Sequence, residues 1–199
     1  MGRLNRRAQD ARDDAGVSPA IEAVLFDFGG VITASSPFTL LGEMGQAAGV
    51  PPETVLEVLL GPYHEDTDHP FHRMERGEIS AAVWFGEASA ALAEVGVELD
   101  MNRMATVFVA AGLHDVVVER IRALRTAGYR TAIVTNNIRE GAGTWRSMVD
   151  LEALFDVVVD SSEVGMRKPN PAIYLHALGL LGGIAPERAV FLDDAPGNV

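Results

Sequence analysis

Three aspartates follow short apolar runs, at positions where a parallel sheet would bring them together. Asp27 follows the run 23–26 and precedes a glycine turn, and Asp193 and Asp194 follow the run 189–192. In open parallel α/β sheets, ligands bind beyond the carboxyl ends of the strands, and glycines there let backbone amides approach an anion. Adjacent carboxylates repel each other unless a cation neutralises them. The pattern indicates a nucleophile beside a cation, although each motif alone is also common as a glycine turn or as surface charge.

Two further segments offer polar groups to an anionic ligand. Thr135 and Asn136 follow a predicted strand, 129–133, and offer a hydroxyl, an amide and a helix N-terminus to an oxyanion. Lys168 is a cation just ahead of a helix that Asn170 is expected to cap. By themselves these segments would be a strand-end turn and a solvated basic loop. Together with the aspartates they meet the separate needs of phosphoryl chemistry.

These four segments resemble, in content and in order, the four motifs of the haloacid dehalogenase-like hydrolase superfamily; they begin at Asp27, Thr135, Lys168 and Asp193. The resemblance spans most of the chain. It is strongest to the sugar-phosphatase-like members and to the phosphatase domain that precedes epoxide hydrolases, because of segments 71–80 and 164–169. It implies an α/β fold, a Rossmann-like three-layer core around a parallel sheet, with a helical cap inserted after the first strand.

The resemblance also implies a role for each polar group. Asp27 would attack phosphorus in line, and water would hydrolyse the resulting aspartyl-phosphate. Because a carboxylate must approach an anionic phosphate, positive charge has to offset the repulsion, and Lys168 and Mg²⁺ are the candidates. Mg²⁺ would be bound by Asp27, Asp194 and the Gly29 carbonyl, and Asp193 would orient a metal-bound water. The phosphoryl oxygens would be held by Thr135, Asn136 and the backbone amides of Phe28, Gly29 and Gly30.

One position departs from the usual pattern of this superfamily. A second aspartate commonly stands two residues after the nucleophile as general acid and base, and here that position is Gly29. A backbone carbonyl can still bind a metal, but it cannot transfer a proton, and a positioned acid–base group typically contributes about 10²- to 10⁴-fold. Glycine therefore predicts a good leaving group, a substitute acid or slow turnover.

The elements that must position these groups divide into a core and an insertion. We predict a core from residues 19–36 and 114–199, in which a helix at 114–127 and a strand at 155–159 accompany the motif strands. Residues 37–113 show helical patterning and no strand of comparable strength, so they are predicted to form the cap.

Two cap helices have clear start signals, at Pro51-Pro52 and at Ser80. The histidine-rich run 63–73 between them is interpreted as a loop. Either it contacts substrate through a side chain such as Arg73, or it is a polar hinge with an apolar residue tucked beneath it. The substrate-contact alternative names His69, Phe71, His72 and Arg73, whereas Trp84 and Trp145 are expected to be packing residues.

Composition favours a compact enzyme. The chain has 199 residues, 48% of them hydrophobic, which is enough for one sizeable core plus a small cap. A net charge of −12 makes nonspecific nucleic-acid binding unfavourable, and no apolar run approaches a membrane span. The absence of cysteine and of a signal-peptide core favours the cytoplasm. Residues 1–18 have mixed charge and almost no apolar content, which predicts a disordered leader.

Three functions fit these features. The first is a Mg²⁺-dependent phosphatase acting on a small phosphorylated metabolite such as a sugar phosphate. The second is a dehalogenase of the 2-haloacid type, in which Asp27 attacks carbon and no metal is required; the Asp193-Asp194 pair argues against it. The third is a phosphate-binding regulatory domain of low activity, which Gly29 favours. Since relatives continue beyond the fourth motif, we also expect that the C-terminal edge strand is missing from this chain. The substrate and the oligomeric state are not predicted.

Overall fold

The computed structural model describes residues 20–34, 46–47, 49–99 and 112–199. Its centre is a four-stranded parallel sheet in the order β3-β2-β1-β4. The strands are β1 (Ala23–Phe26), β2 (Arg130–Thr135), β3 (Val157–Asp160) and β4 (Ala189–Leu192). β1 is apolar throughout and fully buried, as expected of a parallel strand covered on both faces. The predicted α/β fold class is confirmed.

Eight α-helices accompany the sheet in the part of the chain that the structure describes. They are α1 (Pro52–Leu60), α2 (Pro70–Glu75), α3 (Ala81–Glu94), α4 (Asp115–Thr126), α5 (Ala142–Arg146), α6 (Leu151–Leu154), α7 (Ser161–Val164) and α8 (Pro171–Leu180). Short 3₁₀ turns lie at Arg139–Gly141, Pro186–Arg188 and Pro196–Asn198. No helix among these described residues is long and apolar enough to cross a membrane.

The sheet is the middle of three layers. Successive side chains of β1 point to opposite faces, so Val24 and Phe26 pack with Ile121 of α4, whereas Leu25 packs with Ile173 of α8. This alternation explains how one short apolar run serves two hydrophobic clusters. β4 is an edge strand, and its Val190 and Leu192 are 40% and 43% exposed.

Residues 49–99 form a helical segment with a hydrophobic core of its own. Helices α1, α2 and α3 surround a cluster that includes Val55, Leu59 and Leu92. The predicted helix starts are confirmed: α1 has Pro52 in its first turn, and the Ser80 side chain accepts a hydrogen bond from the Val83 amide. The predicted cap limits, 37 and 113, stay predictions, since residues 35–45 and 100–111 lie outside the described part, as does the predicted leader 1–18.

The interpretation of run 63–73 as a loop was wrong for its second half, where α2 forms. The His69 side chain accepts a hydrogen bond from the Phe71 amide and so caps a helix that has Pro70 in its first turn. This helix has only six residues, too few for hydrophobic periodicity to reveal. His72 is buried and Phe71 contacts Trp84 with ring centroids 5.8 Å apart. Phe71 packs against the hydrophobic cluster of the helical segment, as the hinge alternative expected of this one side chain, and contact of the run with substrate stays a prediction.

The other predicted elements differ from the observed ones by one to two residues. The predicted strand 155–159 is β3 at Val157–Asp160, because Phe155 is the residue that ends α6. The predicted helix 114–127 is α4, and Asn170 caps α8 by accepting from the Ala172 amide. Trp84 and Trp145 are buried packing residues, as expected.

Candidate active site

The carboxyl ends of β1 and β4 bring two of the predicted aspartates together. Phe26 is in register with Leu192, and the Asp27 amide donates to the Leu192 carbonyl at 2.8 Å. Asp27 and Asp193 are therefore equivalent positions on neighbouring strands. Lys168 bridges them: its Nζ lies 2.8 Å from Asp27 Oδ1 and 2.5 Å from Asp193 Oδ2.

Lys168 is the only lysine among the 199 residues, whose other fifteen basic side chains are arginines. Its side chain is 1% exposed. A compact ammonium with rotatable donors suits a position between two carboxylates, whereas the planar guanidinium of arginine favours bidentate pairs. The chain thus uses lysine at the one position where two buried carboxylates converge on a single cation within the described residues.

Asp194 completes an acidic cluster with the other two aspartates. One carboxylate oxygen from each of Asp27, Asp193 and Asp194 lies within 4.8 Å of the others. Three carboxylates and one ammonium leave a formal charge of −2 at this end of the sheet. Oxygen ligands with excess negative charge are the donor set that Mg²⁺ prefers, so the residues present fit the predicted ion.

Gly30 allows Asp194 to approach the loop after β1. Gly30 has a φ of +69°, and a Cβ there would lie 2.1 Å from Asp194 Oδ2. A side chain at this position would therefore displace the carboxylate. Gly29 differs, because a Cβ at Gly29 would meet no atom within 4 Å. The position where relatives usually carry the acid–base aspartate is sterically open.

Burial and like charge act on the ionisation of this cluster. Burial raises the pKa of Asp27, and the nearby Lys168 ammonium lowers it in part. Burial and the neighbouring Asp193 carboxylate also raise the pKa of Asp194. Both shifts have the sign expected of carboxylates that need an additional cation to remain charged.

Asn198 is a residue of this site that the sequence did not indicate. Its side-chain amide donates to both oxygens of Asp193, at 3.0 and 3.1 Å, and the Ala195 amide donates to Asp193 Oδ1 at 2.8 Å. Tyr174 of α8 in turn donates to the Asn198 carbonyl at 2.5 Å. Asp193 is thereby held by neutral donors on one side and by Lys168 on the other.

The loop after Asp27 closes on itself. The Phe28 carbonyl accepts from the amides of Ile32 and Thr33, both at 3.0 Å, and the Gly30 amide donates to the Thr33 hydroxyl at 3.2 Å. The Phe28 ring packs on Trp145 with centroids 4.9 Å apart. These contacts fix the glycine turn beside the carboxylate of Asp27.

Thr135 and Asn136 lie at the end of β2, next to β1. The sequence did not predict that Asn136 contacts the backbone of Lys168. The side-chain oxygen of Asn136 accepts from the Lys168 amide at 2.8 Å, and its amide nitrogen donates to the Lys168 carbonyl at 3.1 Å. The side chain therefore brackets the backbone of the lysine. The buried Thr135 ends β2, which pairs with β1. Among the described residues, the four predicted segments thus meet at one end of the sheet.

Arg167 and Glu75 form a second buried ion pair beside this site, which sequence reasoning missed. Arg167 Nε lies 2.7 Å from Glu75 Oε2, and both side chains are almost inaccessible to solvent. The pair joins α2 to the loop that carries Lys168. Glu75 lies in segment 71–80 and Arg167 in segment 164–169. Both segments contributed to the family resemblance, but the sequence analysis assigned no role to either residue.

Comparisons with known proteins agree with the geometry. The haloacid dehalogenase-like hydrolase family matches residues 21–199. The chain is 30% identical over 181 residues to acyl-CoA dehydrogenase family member 10 of Mus musculus, covering 89% of this chain and 16% of that protein. It is 28% identical over 194 residues to bifunctional epoxide hydrolase 2 of Mus musculus, covering 90% of this chain and 34% of that protein. The chain thus spans a third or less of the length of these relatives.

A solved structure has the same fold. It is a HAD family enzyme of Bacteroides thetaiotaomicron in complex with magnesium and inorganic phosphate, with a TM-score of 0.60 and 19% identity. The match covers 90% of this chain and 87% of that one.

Proposed function

Because this chain belongs to the haloacid dehalogenase-like hydrolase family, we propose that it is a Mg²⁺-dependent phosphatase that acts on a small phosphorylated metabolite such as a sugar phosphate. The observation that carries this proposal is the convergence of Asp27 with one lysine, Lys168, and two further carboxylates at the end of the sheet. The Lys168 ammonium offsets the repulsion between a carboxylate nucleophile and an anionic phosphate. Similar proteins that are named as phosphatases, such as phosphoglycolate phosphatase of Aquifex aeolicus, support the same chemistry.

The first step forms a bond between an oxygen of Asp27 and phosphorus. The bond from phosphorus to the ester oxygen breaks, and the leaving oxygen takes up a proton. Water then attacks phosphorus and gives up a proton to solvent, the bond between phosphorus and the Asp27 oxygen breaks, and inorganic phosphate is released with the Asp27 carboxylate restored. A charged carboxylate is already the nucleophilic form, so no base is needed for the first step.

The predicted magnesium ligands are Asp27, Asp194 and the Gly29 carbonyl, with Asp193 beside them. Bound Mg²⁺ would neutralise charge on the phosphoryl oxygens. Lys168 is held at both ends, by Asn136 at its backbone and by Asp193 at its ammonium, so it can remain in place while Asp27 reacts. If Asn136 contacts a phosphoryl oxygen, its second amide hydrogen has to make that bond, because the first is used by the Lys168 carbonyl.

Protonation of the leaving oxygen is the step for which position 29, a glycine, supplies no side chain. This gap favours substrates whose leaving oxygen needs little protonation. It also favours the alternative of a phosphate-binding regulatory domain with low activity. The dehalogenase alternative requires no metal and leaves the excess negative charge around Asp27 unexplained.

The test is phosphate release from a panel of phosphorylated metabolites, with Mg²⁺ and with excess EDTA. We expect release only with Mg²⁺. The variant Asp27→Asn should lose at least about 10³-fold in kcat while its thermal unfolding stays cooperative, because the change is nearly isosteric and removes the nucleophile. Asp68→Asn is the matched control, since the Asp68 side chain is 93% exposed. Full activity in EDTA, or turnover by Asp27→Asn, would contradict the mechanism.

A further inference from the structure

Arg167 and Glu75 make a contact that spans 92 residues of sequence between the helical segment and the sheet core. Besides its 2.7 Å bond to Glu75, Arg167 donates from Nη1 to the Glu65 carbonyl at 2.7 Å. Its guanidinium also lies 5.8 Å from the centre of the Tyr63 ring. Arg167 is therefore surrounded by groups of the helical segment, although its own backbone belongs to the loop before α8.

A second set of contacts fixes the same loop from the same side. Asn170 donates to Asp66 at 3.2 Å, and Asp66 is paired with Arg76, the residue after α2. Gly77 approaches the Ser162 carbonyl so closely that a Cβ would lie 2.3 Å from it. The helical segment is thus seated by charge on the loop that carries Lys168 and by backbone packing on α7, the helix before that loop.

The loop carries Lys168 directly after Arg167. The two side chains extend to different partners: Arg167 to Glu75 of α2, and Lys168 to Asp27 and Asp193 at the sheet end. Since consecutive residues share one peptide unit, displacement of Arg167 moves the Lys168 backbone that Asn136 holds, and with it the ammonium that contacts the two aspartates.

We propose that Glu75 and Arg167 are positioning residues, which transmit the seating of the helical segment on the core to the ammonium of Lys168 beside the nucleophile. This inference rests on the proposed function only for its effect on turnover. The position of Lys168 is a structural property that can be measured separately.

The energetics of the pair favour positioning over stability. Buried ion pairs are often no more stabilising than apolar residues of the same volume, whereas loss of one partner is strongly destabilising. Burial raises the pKa of Glu75 to about 7, although Arg167 lowers it in part. The charged and titratable groups that face Glu75 are Arg167, Lys168, Asp27 and Tyr63. Such a costly pair is expected where a fixed orientation matters.

The experiment compares single and paired substitutions. Glu75→Gln removes the negative charge of the pair, Arg167→Met removes its guanidinium, and the double variant Glu75→Leu/Arg167→Met replaces the pair with apolar side chains. The matched control is Glu163→Leu/Arg146→Met, which removes a solvent-exposed ion pair of 2.8 Å between two residues of the sheet-containing part of the chain. Thermal unfolding, kcat and KM are measured for every variant.

The position of Lys168 is followed by NMR on protein labelled at lysine Cε with ¹³C. Because the chain contains one lysine, the spectrum has one side-chain resonance. We expect this resonance to shift and broaden in both single variants and in the apolar double variant, but not in the control.

For turnover, we expect kcat to fall at least about tenfold in the apolar double variant with KM changed by less than about threefold, because a small displacement of a positioned group reduces the rate more than binding. Its thermal stability should be close to that of the wild type. A double variant with wild-type kcat and an unchanged Lys168 resonance would overturn the proposal and leave the pair a structural role. If no substrate is hydrolysed by the wild type, the proposed function fails, while an Lys168 resonance that responds to the pair still supports the positioning role.

Discussion

The end of the sheet and the junction with the helical segment both bury charge, but in opposite ways. At the sheet end, Asp27, Asp193 and Asp194 face one cation, Lys168, and a formal charge of −2 remains. At the junction, Glu75 and Asp66 face Arg167 and Arg76, and the charges cancel.

The sheet end therefore lacks counter-charge that a bound cation would supply, whereas the charges at the junction are already balanced. Burial and the neighbouring Asp193 carboxylate raise the pKa of Asp194 at the sheet end, and a divalent cation would relieve that repulsion. The junction has its own counter-charges and no need of an added ion. Excess charge thus indicates where a ligand binds, whereas balanced buried charge indicates where parts of the fold are held together.

The largest effect should come from removing the one cation of the sheet end. Lys168→Met changes the formal charge of the cluster from −2 to −3 and removes the group that is proposed to offset repulsion between Asp27 and phosphate. We expect kcat/KM for phosphate release to fall at least about 10²- to 10³-fold. Arg146→Met, at a surface pair, is the control. Wild-type kinetics in Lys168→Met would show that the excess charge has no part in catalysis.

The two glycines after Asp27 give a sharper test of the same cluster. Gly30→Ala places a methyl group where Asp194 lies and forces a residue with a side chain to adopt a φ of +69°. We expect phosphate release to fall by about 10- to 100-fold and the Mg²⁺ concentration for half-maximal activity to rise. Gly29→Ala meets no atom within 4 Å and should have a much smaller effect. Equal losses in both variants would mean that the approach of Asp194 is unimportant.

Whether the sequence predicts a contact in this site depends on how much of the tertiary structure must be known to place both residues. Asp27 and Asp193 are predictable because strand ends in a parallel sheet meet at one edge, whatever the side chains around them. The contacts of Asn136 with the Lys168 backbone and of Asn198 with Asp193 are not, since they require the exact path of two loops. The pairing of Arg167 with Glu75 is still less accessible, because it depends on how the helical segment packs on the core.

The helix α2 illustrates the same limit for secondary structure. Its start signals, a capping side chain and a proline, were present, but they occur in a histidine-rich run that is polar enough to be interpreted as a loop. Burial of His72, and of Met74 in the cluster that it shares with α3, supplies the stability that six residues lack by themselves. Tertiary packing, and not local preference, decides such a segment.

The open space at Gly29 leads to a smaller but more specific effect. For the wild type we expect phosphate release to depend steeply on the leaving-group pKa across a series of aryl and alkyl phosphates. A Cβ at Gly29 would meet no atom within 4 Å, and Gly29→Asp, which adds a carboxyl group there, should raise release from alkyl phosphates by about tenfold and flatten the dependence. A wild-type dependence that is already flat, with chemistry rate-limiting, would mean that another group supplies the proton.

The smallest effect concerns the junction and its dependence on pH. Burial raises the pKa of Glu75 from 4.5 to about 7, so the folded state binds this proton more tightly than the unfolded state. The corresponding stability is fully present below pH 4.5 and is lost as the pH rises through 7. The Tm of the wild type minus that of Glu75→Gln should therefore decrease between pH 5 and pH 8, by on the order of 5 °C. A difference that grows with pH would show that the charged pair is the stable form.

The single lysine has a consequence for the chemical reactivity of the folded chain. Most proteins present many surface amines to acylating reagents, but here the only lysine side chain is 1% exposed and lies within the candidate site. A reagent can modify it only during transient opening of that site or during global unfolding. The rate of lysine acylation under native conditions therefore measures the free energy of opening at the end of the sheet that carries the candidate site. No other lysine contributes to that rate.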